Sequence, residues 1–285
     1  MKNTEIALIV DSCTDVPQEL VESYGMYVVP LTVNYSDGSF LDKVTITPQQ
    51  VYDRFSQEVP TTSTPSPASA KKVFEQVVAD GFEKAVVVTI SSGLSATCEL
   101  LRSTALEFPE LETVVVDTKN IGMGAGLSAI RAAQLIEAGV PFDEMAGRMA
   151  KVVENTKVYF CVDTLEYLHK GGRIGLVTFA VGSLLDMRPV ISCNEEGVYY
   201  TVSKARGRKQ SLKKAISVAE KFAAGFSECA IAVVNGDAVD EAADVLAEME
   251  ERVANRTAVY SGQISPVLVV HTGPGLIGIG VQGIA

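Results

Sequence analysis

The sequence is short of histidine, of paired cysteine, of positive charge and of long apolar runs, and each shortage closes off a class of function. Its two histidines, His169 and His271, are too few and too isolated to build a zinc cluster, so no metal site is expected. The five cysteines, Cys13, Cys98, Cys161, Cys193 and Cys229, are odd in number and lack CxxC spacing. They read as free thiols in a reducing cytoplasm. Lysine and arginine number 24 against 35 aspartates and glutamates, a formal net charge of -11. A chain of that sign repels phosphate backbones, and no nucleic-acid partner is expected. The longest nearly apolar run, residues 174–185, is broken by Gly175, Thr178, Gly182 and Ser183. It falls short of the ~20 residues of a bilayer span and reads as a buried helix or cavity wall, with no stable membrane insertion. The first apolar run, residues 6–10, is too short for a signal peptide and reads as a strand; no myristoylation start or prenylation signal is present. Walker A, HExxH, GxSxG and kinase signatures are all missing.

What is there is an ordinary globular composition, 47% hydrophobic and 21% charged, in 285 residues. At about 150 residues per domain this predicts two domains. β-branched runs at 6–10, 85–90 and 113–116 are each followed by a helical period, at 17–24, 94–108 and 124–138, with another at 68–79. Val73, Phe74, Val77 and Val78 keep the spacing of a buried helical stripe. This alternation predicts a mainly parallel sheet covered by helices. A further β run at 26–35 ends in the hairpin signal Asp37-Gly38. A helix at 142–153 closes the alternating part. Beyond it, strands at 158–162, 189–192, 198–203, 230–234, 257–260 and 267–271 are separated by only two long helical segments, near 210–224 and 237–253. The expected fold is α/β: an N-terminal Rossmann-like three-layer α/β domain over residues 1–159 and a C-terminal mixed α+β domain over 160–285, whose last residues pack back on the first.

Two glycine patterns resemble dinucleotide fingerprints and fail on context. GPGLIG at 273–278 is followed by only seven residues, too few for the helix, strand and acid that give those glycines a purpose. Gly122, Gly124 and Gly126 space as GxGxG with the bulky Leu127 behind them, which reads as close helix packing. Two hydroxyl-rich loops are more informative. Thr62-Ser63-Thr64-Pro65-Ser66 precedes one helical segment, and Ser91-Ser92-Gly93-Leu94-Ser95-Ala96-Thr97 separates a strand from another. Either is a helix cap or an anion site, because free N–H groups at a helix N-terminus favour negative charge and hydroxyls add donors. One cap does not need four hydroxyls.

Together with Asp11-Ser12-Cys13-Thr14-Asp15-Val16, Gly171-Gly172-Arg173-Ile174 and His271-Thr272-Gly273-Pro274-Gly275, these loops resemble the DegV family of bacterial fatty-acid-binding proteins. The resemblance implies a carrier, not an enzyme: one long-chain fatty acid, such as palmitate, lies in a tunnel between two domains, with no cofactor. In the FakB group of that family the carboxylate is presented to a separate fatty acid kinase. The carboxylate contacts implied are Thr62 and Ser95, with no catalytic residue. Secondary contacts at the head group or the tunnel mouth fall on Ser63, Ser92, Gly93, Ala96, Arg173 and His271. Thr64, Ala96 and Cys13 depart from the family's usual glutamine, glycine and serine.

Simple physics accommodates such a ligand. Burying about 14 methylenes at ~0.8 kcal/mol each gains on the order of 11 kcal/mol before ordering costs. The tail then supplies affinity, and hydroxyls with helix N–H groups orient the carboxylate without an arginine. Tyr167, Leu168, Ile174, Leu176, Val177, Phe179, Val181, Leu184 and Leu185 are candidates for the lining. The alternative is a small-molecule hydrolase or phosphotransfer enzyme using Ser95 as nucleophile and His271 as base. Finally, Lys204, Arg206, Arg208 and Lys209 reverse the charge of the chain locally, as a solvated loop or a docking patch for a partner protein.

Overall fold

A computed structural model describes residues 5–177 and 187–284. β1 (Ile6–Asp11) runs through a 3₁₀ turn (Ser12–Thr14) to α1 (Gln18–Tyr24), β2 (Tyr27–Val29), β3 (Thr32–Tyr35) and β4 (Gly38–Leu41). Then come α2 (Pro48–Arg54), β5 (Thr61–Ser63), α3 (Pro67–Ala79), β6 (Lys84–Thr89) and α4 (Thr97–Ala105). β7 (Glu112–Asp117), α5 (Met123–Glu137) and α6 (Phe142–Glu154) complete the first part. The second part holds β8 (Thr156–Cys161), α7 (Glu166–Lys170), β9 (Val190–Cys193), β10 (Tyr199–Ser203) and α8 (Arg208–Ala223). It ends with β11 (Glu228–Gly236), α9 (Val239–Arg252), β12 (Arg256–Gln263), α10 (Pro266–Thr272) and β13 (Leu276–Ile284).

The β-branched runs form a parallel sheet in the order β2-β1-β6-β7. Its strands are apolar on both faces, as a sheet covered on both sides requires. Ala7, Ile9, Ala85 and Val87 meet Phe74 of α3 and Leu101 of α4. The alternate residues Leu8, Val10, Val86 and Val88 join the core that contains α5. A six-stranded mixed sheet, β10-β9-β8-β13-β11-β12, carries α8 and α9 on its outer face, where Ile216 and Met249 pack on Ile231, Val233 and Ile279. β8 begins at Thr156, so the division drawn between residues 159 and 160 passes through a strand of this sheet. A small antiparallel sheet, β4-β3-β5, completes the set.

Two expectations need correction. The run 26–35 is not one strand: Tyr27–Val29 pairs with β1, whereas Thr32–Tyr35 belongs to the small sheet. Pro30 lies between them and has no N–H to continue a ladder. The hairpin signal itself holds, with Tyr35 opposite Gly38. The second correction is the segment 267–271, which is α10 and not a strand. Its Val267-Leu268-Val269-Val270 sequence favours a strand, but Ser265 and Pro266 open a helix whose first N–H groups find buried acceptors, and tertiary context overrides propensity.

α5 lies between the two large sheets, its Leu127 in one core with Val86 and Val88 of the first and with Ala230, Ala232 and Val234 of the second. A helix buried on both sides must be thin, which explains Gly124 and Gly126, whereas Gly122 caps the helix at a φ of +53° that favours glycine. A Cβ on Gly126 would stand 2.4 Å from the carbonyl oxygen of Thr14. Gly126→Ala therefore overpacks the joint, and its unfolding free energy in urea should fall by about 1–3 kcal/mol.

Candidate functional site

Thr62 sits on β5, opposite Val33, and its Oγ1 lies 2.7 Å from Nε2 of His271 on α10. The placement of α10 explains this meeting of residues far apart in the chain. The Ser265 N–H donates to Asp15 Oδ1 at 3.0 Å and the Val267 N–H to Asp42 Oδ1 at 3.0 Å, so two carboxylates hold the helix N-terminus. The Ser12 hydroxyl donates to Asp42 Oδ2 at 2.5 Å, and Lys43 pairs with Asp15 at 2.9 Å. Asp42 is fully buried and was missed in the sequence, where no local pattern marks it. Asp15 belongs to the first quoted motif, whose role is thus to anchor a helix from the other end of the chain.

The second loop is organised from the same place. Asp11 accepts the Cys13 N–H at 2.9 Å and the Ile90 N–H at 2.7 Å, tying the end of β1 to the start of the serine loop. Ser95 stands two residues before the first residue of α4, its Oγ 2.8 Å from Thr97 Oγ1 and accepting the Thr97 N–H at 3.3 Å. Ala96 holds the cap position itself and provides no side-chain bond. In the first loop the cap of α3 is Ser66, which accepts the Ser69 N–H at 3.0 Å, leaving Thr62 and Thr64 outside the capping role.

Thr62, Ser63, Thr64, Ser95, Ala96, Arg173 and His271 line one cavity of about 160 Å³. Ser92 and Gly93 do not: the Ser92 N–H donates to Asp117 at 3.1 Å, its Oγ accepts from Lys119 Nζ at 3.1 Å, and Gly93 faces the β9–β10 hairpin. Ser63 also takes a bond from Asn34 Nδ2 at 3.2 Å. The deeper wall is apolar, with Ile121, Tyr199 and Leu268. These three residues also bound a second compartment of about 30 Å³ walled by Val158, Phe160, Val234 and Leu276. A hydroxyl-bearing polar chamber, itself partly apolar, thus adjoins an almost wholly apolar one across these three side chains.

Arg173, expected at the head group or the tunnel mouth, lines the polar chamber, so this chamber is not free of arginine. Its Nε donates to the Leu94 carbonyl at 3.3 Å and its Nη1 to that of Gly171 at 2.9 Å, bridging the two parts of the chain. Burial, and to a lesser degree the Arg173 charge, pull His271 down to about 4, so the ring is neutral near pH 7. The imidazole fits only because Gly171 lacks a side chain: a Cβ there would stand 2.2 Å from Nδ1. That Nδ1 is buried without a hydrogen-bond partner. An orphaned lone pair costs less than an orphaned N–H, which assigns the proton to Nε2. His271 then donates to Thr62 Oγ1, and the Thr62 hydroxyl proton remains free to donate to an anion.

No hydrogen bond joins Ser95 to His271 among the described residues; their partners are Thr97 and Thr62. Of the candidate lining residues, Leu168 is core, Leu176 is exposed and Tyr167 packs on Phe55 with ring centroids 5.0 Å apart. Ile174 packs against the main core and Val177 is part of it. Phe179, Val181, Leu184 and Leu185 lie outside the described residues. In the basic stretch, Arg208 is ion-paired with Glu241 at 2.8 Å and Asp163 at 3.7 Å, whereas Lys204, Arg206 and Lys209 are exposed. All five cysteines are free and buried. Among the described residues no group of three His, Cys, Asp or Glu side chains is arranged to hold a metal ion, and no helix is long and apolar enough to cross a membrane.

Comparison with known proteins adds to this geometry. The model of the DegV family, described as one of uncharacterised proteins, matches residues 5–283. A DegV domain-containing protein of Clostridium acetobutylicum is 43% identical over 275 residues, 96% of this chain and 98% of its own. A DegV family protein from Thermus thermophilus, described as fatty-acid binding, superposes with a TM-score of 0.89 at 29% identity, over 98% of this chain and 99% of that one. A stearic-acid-binding protein from Eubacterium ventriosum does so with a TM-score of 0.87 at 26% identity, over 98% of both chains.

The low His271 value has a measurable consequence for stability. Because it lies below the ordinary 6.5, the His271 contribution is complete above that pH and is lost as pH falls toward about 4. Relative to a His271→Gln variant, the wild-type unfolding free energy should therefore drop by about 3 kcal/mol between pH 7 and pH 4, measured by urea titration at each pH.

Proposed function

Since the chain belongs to the DegV family, we propose that it is a fatty-acid carrier: it binds one long-chain fatty acid such as palmitate between its two large sheets and presents the carboxylate to a separate fatty acid kinase in the cytoplasm. The observation that carries this reading is that a chamber bearing the Thr62 and Ser95 hydroxyls adjoins an apolar one across Ile121, Tyr199 and Leu268. The carboxylate lies against Thr62 and Ser95, with the α4 N-terminus and Arg173 supplying positive potential. A sixteen-carbon chain exceeds the combined cavities, about 160 and 30 Å³, so its entry turns aside the Tyr199 and Leu268 side chains that part them. Binding affinity comes from the tail, at ~0.8 kcal/mol per buried methylene. The head-group contacts orient the ligand and leave one carboxylate oxygen open as phosphoryl acceptor. Exposed Lys204, Arg206 and Lys209 are the cations available for docking such a kinase; Arg208 is held by Glu241 and Asp163.

A hydrolase built on Ser95 and His271 is the weaker reading. The general base would have to leave Thr62, Ser95 would have to leave Thr97, and the Nδ1 of His271 has no acceptor to orient it.

Native mass spectrometry of freshly purified protein should show a mass excess of about 250–290 Da, the weight of a fatty acid with ~14 methylenes, released on denaturation. Thr62→Ala and Ser95→Ala should each weaken palmitate binding about tenfold or more in titration calorimetry, the loss of one hydrogen bond to a carboxylate. An empty protein that refuses added palmitate would sink the carrier reading; unchanged affinity in both variants would remove the site assignment alone.

A further inference from the structure

The β9–β10 hairpin reaches from the six-stranded sheet to the serine loop, and we infer that it is a clamp that sets the head-group geometry, with Ser91 as the positioning residue through which it acts. This inference rests on the fatty-acid reading. Ser91 is wholly buried and does not line the polar chamber, so it is not a ligand contact. Its carbonyl accepts the Leu94 N–H at 3.1 Å and the Ser95 N–H at 3.2 Å, while its Oγ accepts the Gly93 N–H at 3.0 Å. One residue thus arranges three consecutive amides leading to Ser95. The hydroxyl proton of Ser91 is donated to the Gly197 carbonyl, at 2.9 Å, in the turn of the hairpin.

The two surfaces are closed to side chains on both sides. A Cβ on Gly93 would stand 2.7 Å from the Glu196 carbonyl oxygen and 2.8 Å from that of Gly197. A Cβ on Gly197, whose φ is +77°, would collide with Ser91 Oγ. The turn is itself fixed, because Asn194 Oδ1 accepts the Val198 N–H at 2.9 Å and the Asn194 carbonyl accepts the Gly197 N–H at 2.9 Å. Two residues after Gly197 comes Tyr199, the side chain that parts the polar and apolar chambers and packs edge-on against Phe160. A single rigid hairpin therefore touches the loop that meets the carboxylate and the wall that meets the chain. It also accounts for a hydroxyl in the serine loop that neither capping nor ligand contact uses.

The clamp is tested by comparing palmitate with hexadecanol, which shares the chain and lacks the carboxylate, each as a competitor of a fluorescent fatty acid. Ser91→Ala should cost about tenfold in palmitate affinity and leave hexadecanol nearly unchanged, so the preference for the acid falls by that factor. Gly93→Ala, which pushes the hairpin off, should lower the preference in the same direction and keeps the test open should Ser91→Ala fold poorly. Glu196→Ala should behave as wild type, since the exposed side chain goes and the backbone carbonyl stays. Faster amide exchange at residues 93–95 of the ligand-free Ser91→Ala protein, with β6 still protected, would show the loop released in a folded molecule. An unchanged acid-to-alcohol preference in both Ser91→Ala and Gly93→Ala overturns the clamp alone. A wild-type protein that takes up neither competitor overturns the fatty-acid reading, and the clamp with it.

Discussion

The carboxylates of Asp15 and Asp42 accept the Ser265 and Val267 N–H groups of a helix that arrives from the far end of the chain, and the site depends on that capture. Buried N–H groups at a helix start must be paired. Here the acceptors stand just after the 3₁₀ turn that follows β1 and just beyond β4, and docking α10 on them brings His271 to Thr62. Burial pushes Asp11 up to about 7 and Asp42 to about 6 against the N–H and hydroxyl bonds that favour their charge. Because both lie above the ordinary value of 3.8, their contribution to stability is complete below that pH and is lost as pH rises through about 6 to 7. Concentrating acids at the joint of the fold thus costs stability at neutral pH, in exchange for a helix held by charge-assisted bonds.

The motifs acquire meaning in contacting pairs. Gly171 leaves room for the imidazole of His271, and Arg173, two residues on, reaches the carbonyl of Leu94 in the serine loop. The first motif supplies Asp11 for the exit of β6 and Asp15 for the start of α10. None of these residues needs chemistry of its own for the arrangement to matter. A neutral histidine donating to Thr62, a serine just before the start of α4 and a tethered arginine make an environment for an anion. They do not make a nucleophile with its base. That distribution fits the proposed carrier, in which the site orients a carboxylate and a long apolar chain supplies the binding free energy.

How far the sequence could be read follows the range of the interactions involved. The parallel sheet was legible because its β-branched runs alternate with helical stripes, and both periods are local. GxGxG was legible as packing because a bulky residue followed it, and α5 indeed lies between two sheets. α10 was not legible: its valines favour a strand, and the acceptors that make it a helix lie more than two hundred residues away. The break at Pro30 is masked in the sequence, because the residues on either side of it share one apolar character while belonging to different sheets.

By itself the sequence determined the fold class, the free thiols, the two hydroxyl-rich loops and the family they resemble, all of which rest on composition, period or the order of short motifs. Only the tertiary structure decided that Thr62 and Ser95 line one chamber, that Ser92 and Gly93 do not, and that Arg208 is neutralised by acids of its own chain. It alone brought Asp42, Tyr199 and the β9–β10 hairpin to the site. The physical reason is that hydrogen-bond satisfaction and close packing are pairwise conditions on residues distant in sequence, and no single segment carries both members of the pair.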